Sequence, residues 1–528
     1  MATAVAASAA AIPLGPADTE RVDPLRVLAF LAMCFGMFMA FLDIQVVSAS
    51  LAEIQAGLAA SSDEITWVQT SYLMAEVVAI PLSGFLSRAL GTRAMFATAA
   101  AGFTAASLMC GLSSTMNEMI VWRALQGFIG GGMVPTVFAS AYSIFPRRLQ
   151  PVITPMIGLV ATLAPTIGPT VGGYLTDALS WHWLFFINIV PGILVTIAAI
   201  TLIDFDKPDY SLFERFDWVG LIFMALFLGA LEYVLEDGPR YDWFEDDTIF
   251  LAAIVSGTSA LIFFARVLTA YQPIVDLGAF TDRNFAVGSM FSFVLGIGLY
   301  GLTYLYPVFL GEVRGYNALM IGQTMFISGA AMFLTAPLVG RLMSRVDARL
   351  MLAFGFVVVG LSNWDVSYLT KDWDFGELLI PQILRGFGMM FAIVPITNIS
   401  LGTLAPERLK NASGLFNLTR NLGGAVGLAG LNTVLNHRID LHLARLHDSI
   451  TWSRPQVLET LNGFAARIGG SDAQSKALKE LFLFTRMQGV VMAFADVFLM
   501  LCILFVGFAT LVWLFRRPAL VGAAAGGH

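Results

Sequence analysis

The chain has 528 residues, 57% of them hydrophobic and 13% charged, with a formal net charge of −7. A soluble protein of this length carries about a quarter charged residues, so most of this sequence has to sit in lipid rather than fold as a water-soluble enzyme. No basic stripe of the nucleic-acid-binding kind is present, and Cys34, Cys110 and Cys502 stand singly in or near apolar stretches without ligand-like spacing.

In chain order, residues 1–25 form an Ala-rich tail that lacks the basic start of a cleaved signal peptide. Apolar runs of about 20 residues, long enough to cross a bilayer core, follow at 26–48, 65–87, 94–112, 118–145, 150–175 and 184–204. A hydrophobic hairpin occupies 217–236 and 247–270 within a unit spanning 217–270. Six more runs lie at 285–310, 318–343, 350–369, 375–402, 408–436 and 489–515, and a short tail closes the chain at 516–528. The expectation is an all-α integral membrane protein with 14 transmembrane helices: a six-helix bundle over 26–204, the inserted hairpin, and a second six-helix bundle over 285–515.

An even number of spans puts both termini on one side, and the charges say which. With the N-terminus inside, 17 of the 30 lysines and arginines fall on cytoplasmic segments, while the short outer loops hold only Arg240, Arg314 and Lys371. Short loops keep their positive excess in the cytoplasm, so both termini are expected there. The one sizeable polar stretch, 437–488, then lies outside the membrane, either as short amphipathic helices, for example around Leu478 to Phe484, or as a solvated linker. His437, His442 and His447 recur every five residues, which turns each about 140° from the last on a helix, so no metal site is expected of them.

The two bundles look like copies. RALQGFIGGGMVP at 123–135 and QILRGFGMMFAIVP at 382–395 both place a Gln/Arg pair before Gly-Phe, with the pair in opposite order, and Gly158 and Gly168 have counterparts in Gly414 and Gly424.

Ionisable groups inside spans are costly, so each is a functional candidate. Asp43 and Arg123 share a depth and can pair, either as a proton site or as a static ion pair that fixes packing. Glu76 lies near the midplane of its span, as a second proton site or as a neutral acid bonded to a neighbouring helix. Gln382, Arg385, Asn417 and Arg420 form a second-half polar set that either draws substrate or organises a network. Asp365, Glu232 and Asp496 lie nearer the outer ends of their spans, where water is expected to satisfy them. No GxxxxGK[ST] loop supports ATP coupling and no GxSxG or HExxH supports hydrolysis, which leaves an ion gradient as energy source, with no catalytic residue, metal or cofactor expected.

Several strings resemble the major facilitator superfamily, specifically its fourteen-span drug:proton antiporters of the EmrB type. FLDIQVVSASL carries Asp43, VWRALQGFIGGG carries Arg123, and APTIGPTVGG is similar to the antiporter motif, with Pro165, Gly168, Pro169, Gly172 and Gly173. WHWLFFINIVPG, PIVDLGAFTDRNFAVG and LAPERLKNASGLFNLTRNLGG extend the likeness over nearly the whole chain. The cytoplasmic gate loop GFLSRALGTR contains Gly84, Arg88, Gly91 and Arg93, and Arg88 stands where the superfamily pattern has aspartate, so the gate contact of that aspartate needs another partner. The resemblance implies the major facilitator fold and export of hydrophobic, often weakly acidic, drugs in exchange for protons by alternating access across a bacterial inner membrane. It also implies a periplasmic adaptor protein and an outer-membrane channel as partners, with 437–488 as the place to meet the adaptor. Export of a fatty acid, siderophore or other metabolite is the alternative; a passive channel or a non-transporting scaffold is the remote one.

Overall fold

The computed structural model describes all residues except 1–22, 49, 62, 63, 147, 148, 272, 344, 405, 471 and 517–528. Nearly all of both expected cytoplasmic tails therefore lies outside the described residues, as do Arg147 and Arg148.

Eighteen α-helices follow in order: α1 (Pro24–Ser48), α2 (Leu51–Leu58), α3 (Trp67–Ala89), α4 (Gly91–Leu112), α5 (Met116–Gly130), α6 (Met133–Ile144), α7 (Gln150–Ala178), α8 (Trp183–Phe186), α9 (Ile189–Leu202), α10 (Trp218–Asp237), α11 (Asp247–Thr269), α12 (Arg283–Glu312), α13 (Ala318–Leu342), α14 (Ala348–Val366), α15 (Phe375–Leu401), α16 (Pro406–Ser449), α17 (Pro455–Ile468) and α18 (Ala473–Thr510). Among the described residues there is no strand. Lipid offers the backbone no hydrogen bonds, so a chain this apolar satisfies its amides within helices. Leu261 and Leu268 on α11 and Ile503 on α18 are 75%, 79% and 65% exposed, as side chains facing acyl tails are.

All fourteen predicted spans fall on helices. Twelve spans among the described residues are long and apolar enough to cross a membrane, and the other two expected crossings correspond to α7 and α16. The fourth span is interrupted: α5 and α6 meet at Gly131 and Gly132, where a Cβ on Gly131 would lie 3.1 Å from Cγ of Glu76 and one on Gly132 would lie 2.2 Å from Cε of Met95. Side chains of α3 and α4 thus close in on this break.

In the first bundle α1 packs on α7 and α9, and α5 packs on α3 and α4; in the second α12 packs on α16, and α14 packs on α15 and α18. The halves meet along α3–α16, α6–α16, α7–α13 and α7–α15. The repeat seen in sequence is a repeat of contacts. A Cβ on Gly168 would lie 2.4 Å from Cβ of Gln45 on α1, and one on Gly424 would lie 2.4 Å from Cδ2 of Tyr300 on α12, so α7 abuts α1 as α16 abuts α12.

The stretch 437–488 holds one short amphipathic helix, α17, as one of the two expectations had it, and departs from that expectation on either side of it. Between Gly430 and Pro455 there is neither glycine nor proline, so α16 continues without a break to Ser449. Leu478 to Phe484, expected as a separate short helix, belongs to the opening turns of α18 and runs straight into the last span. Between them α17 is amphipathic and packs Leu461 against Ala477 and Leu481 of α18.

Candidate functional site

Asp43 lies on α1 and Arg123 on α5, and both are buried to within 1% of complete. Arg123 Nη1 donates to Asp43 Oδ2 at 2.6 Å and to Gln126 Oε1 at 2.8 Å, while its Nε donates to the Val68 carbonyl at 3.0 Å. The other carboxylate oxygen accepts from Gln126 Nε2 at 3.1 Å and from Asn188 Nδ2 at 2.7 Å. The ring of Tyr72 lies under the guanidinium, 4.3 Å from its carbon. Every charge in this network has a partner, as a buried pair requires. The shared depth of Asp43 and Arg123 was legible in the sequence; Gln126 and Asn188 were missed, although each is an amide set in an apolar run.

The antiporter-motif glycines of α7 press on the same stretch of α1. Gly168 meets Gln45, and a Cβ on Gly172 would lie 2.9 Å from the Val46 carbonyl oxygen. Pro169 and Gly173 lie part-buried on this helix, and the side chain of Pro165 falls outside those described. Close approach of α7 thus fixes the segment that carries Asp43.

Beside this network is a cavity of about 330 Å³ between the halves, walled by α1, α3, α10, α12 and α16. That volume suits a small molecule. Glu76 lines it one helical turn from Tyr72, 5% exposed, with Arg123 and Asp43 as charged neighbours. Glu232 and Glu236 line it from α10. Glu232 was expected to be satisfied by water near the end of its span. It is instead 6% exposed, because α10 packs on α3 and α16 and turns this face inward. The missed signal was three acids, Glu232, Glu236 and Asp237, within the last two turns of an apolar helix, the first two four residues apart and so on one face. Asp365 is exposed as expected, and Asp496 pairs with His442 at 2.8 Å and Arg438 at 3.5 Å.

The gate loop closes the opposite end of this interface. A Cβ on Gly84 would lie 3.1 Å from Cα of Asn411, so α3 and α16 are in backbone contact there. Lys410 forms an ion pair with Asp206 and donates to the Ser87 carbonyl at 3.0 Å. Asp206 also accepts from the Thr92 amide and hydroxyl, both at 2.9 Å. Arg88, in the place of the superfamily's aspartate, donates to the Gly84 carbonyl of its own helix at 3.3 Å. Arg93 pairs with Asp204 at 3.1 Å, and Gly91 takes a left-handed φ of 79°, which favours glycine. Among the described residues Lys410–Asp206 is thus an ion pair between the halves at this end, and Arg88 has Asp276 as its charged neighbour.

In the second half Arg385 Nη1 donates to Gln382 Oε1 at 3.4 Å, the counterpart of Arg123 to Gln126, and its Nη2 donates to Thr303 Oγ1 at 3.1 Å. No carboxylate pairs with it among the described residues. Arg420 donates to Asn417 and lies 5.5 Å from the Phe138 ring centre, so it crosses to the first half. Among the described residues no group of three His, Cys, Asp or Glu is placed to hold a metal ion.

Residues 33–428 match the Major Facilitator Superfamily. The chain is 41% identical over 478 residues to the colistin resistance protein EmrB of Acinetobacter baumannii, covering 90% of this chain and 93% of that one. It is 29% identical to the multidrug export protein EmrB of Escherichia coli K12, over 95% and 97% of the two chains, and 31% identical to the fatty acid resistance protein FarB of Neisseria gonorrhoeae, over 96% and 99%. Its fold is similar to the crystal structure of the human organic anion transporter MFSD10, with a TM-score of 0.58 at 12% identity, covering 92% of this chain and all of that one. A paired bundle with a buried Asp–Arg network, a central cavity and a sequence likeness this extensive place the chain in the Major Facilitator Superfamily, on the branch of the EmrB-type efflux permeases.

Proposed function

We propose that this chain exports hydrophobic small molecules in exchange for protons, by alternating access of the cavity between its halves. The observation that carries the reading is Glu76: a nearly buried carboxylate with no hydrogen-bond or ion-pair partner among the described residues, in the wall of a cavity whose far end is closed by Lys410 and Asp206. An unpaired acid at this position gains from taking a proton or from a bound substrate, and loses when it has neither. Arg123, which acts on Glu76 electrostatically, ties that exchange to Asp43 and so to the packing of α1 on α7. One charge moving across 100 mV supplies about 2.3 kcal/mol, enough for a substrate gradient of some tens-fold.

Drug export is supported by the relatives, named for multidrug export and colistin resistance. Export of a fatty acid, for which the gonococcal relative is named, is the second reading. The excess of basic residues on one set of short loops supports an inner-membrane protein with both termini in the cytoplasm. The cavity then faces outward and the Lys410 seal inward. The helical projection formed by the end of α16, α17 and the start of α18 stands on the outer side, where a periplasmic adaptor leading to an outer-membrane channel would dock.

The test is gradient-driven uptake into liposomes holding the purified protein, against substrate exchange without a gradient. Glu76→Gln is expected to lose the first and keep the second. Gradient-driven uptake at the wild-type rate in this variant would contradict the role of Glu76, and a wild-type rate indifferent to the gradient would contradict proton coupling.

A further inference from the structure

We infer that the cavity is a site for organic cations: Glu232 and Glu236 on the inserted helix α10, facing Glu76 on α3, select amphiphilic substrates that carry positive charge. This rests on the export reading above and adds to it a substrate class and a role for the insert.

Among the described residues the wall carries three carboxylates and not one lysine, arginine or histidine. Glu76 and Glu232 are 5% and 6% exposed, both line the open space, and neither has a hydrogen-bond or ion-pair partner among the described residues. Their contrast with Asp43 is informative. At Asp43 the fold answers a buried carboxylate with three side chains, whereas at Glu232 it answers with a void of small-molecule size. A cation entering the void supplies the countercharge that the protein leaves out. The charged groups that act on Glu232 are Glu236 and Glu76, both acids, which disfavours an anion at this end of the wall.

The buried cations of the second half stand behind this wall and not in it: Arg420 acts electrostatically on Tyr300 and Arg385 donates to Thr303, both of which line the cavity. Neither Arg385 nor Arg420 lines the cavity; the first is engaged by Gln382 and Thr303 and the second by Asn417. Tyr300 and Tyr304 do line it, and aromatic faces beside carboxylates favour a desolvated ammonium or phosphonium over a neutral ligand. The acids on α10 are held in place: Tyr233, next to Glu232, stacks on Trp67 of α3 with ring centres 5.3 Å apart. The insert is thereby part of the binding wall, and the weakly acidic substrates implied by the sequence resemblance carry the wrong charge for it.

Tetraphenylphosphonium and tetraphenylborate have the same shape and opposite charge. Their equilibrium binding to the full-length protein in lipid nanodiscs, with empty nanodiscs subtracted, tests the inference. The wild type is expected to retain the phosphonium and not the borate. Glu232→Gln combined with Glu236→Gln should weaken phosphonium binding roughly tenfold or more, while the same pair changed to Asp should stay within a few-fold of wild type. Monodisperse elution of both variants establishes that they fold. Preference for the borate, equal phosphonium binding by the Gln variant, or retention of neither ion overturns the inference. Gradient-driven uptake of the borate or of a hydrophobic weak acid, together with any of those results, leaves the export reading standing; absence of gradient-driven uptake of every compound counts against export itself.

Discussion

Arg123 Nη1 and Asp43 Oδ2 stand 2.6 Å apart, with side chains 1% and 0% exposed, so neither charge has water to fall back on. Asn188 and Gln126 complete the carboxylate and Val68 completes the guanidinium. Such a pair contributes little net stability when intact and costs much when half of it is removed.

Asp43→Asn is therefore expected to destabilise the protein by about 3–5 kcal/mol, by leaving Arg123 buried and uncompensated. Arg123→Gln should do the same in the other sense, and the double variant should recover part of the loss while transport stays absent. Thermal unfolding of the purified proteins measures the first effect and liposome uptake the second. Single variants of wild-type stability would show that the pair is solvated in the working protein.

Lys410→Gln removes the ion pair that joins α16 to Asp206. Both partners are about one-fifth exposed, at 19% and 23%, so the contribution is that of a screened pair, about 1 kcal/mol, or roughly a fivefold shift in the balance of states. Spin-label distances across the Lys410 end should broaden toward longer values in the variant. An unchanged distribution would mean that the Gly84–Asn411 backbone contact seals this end without the ion pair.

Gly127→Ala places a Cβ 2.3 Å from the Tyr72 carbonyl oxygen, on the face where α5 meets α3. Overpacking of this kind costs about 1–3 kcal/mol, and here it also pushes Tyr72 from beneath Arg123. Gly257→Ala, on α11, meets nothing within 4 Å and should leave stability and transport unchanged. Equal effects of the two substitutions, by thermal unfolding and uptake, would contradict this account of the α3–α5 contact.

Much of the architecture was legible because lipid leaves a helix few alternatives: the length of the apolar runs sufficed to place all fourteen predicted spans on helices. The Gln–Arg pairs at 123/126 and 382/385 were legible as a repeat and hydrogen-bond within each helix, though among the described residues only the first meets a carboxylate. What escaped depends on contacts distant in sequence. Lys410 and Asp206 are 204 residues apart, and no local pattern brings them together. Position along α10 placed Glu232 near water, while its burial follows from which helices α10 packs on. The length of α16 escaped for another reason: falling hydropathy marks where a helix leaves the membrane, and only glycine or proline marks where it ends.

The central claim is that substrate and proton exclude one another at Glu76. The most direct measurement is the pH change on adding substrate to the purified protein in weakly buffered detergent solution, comparing wild type with Glu76→Gln. The account predicts proton release by the wild type that saturates with substrate and is absent in the variant. Substrate binding without release in the wild type, or undiminished release from Glu76→Gln, would contradict it.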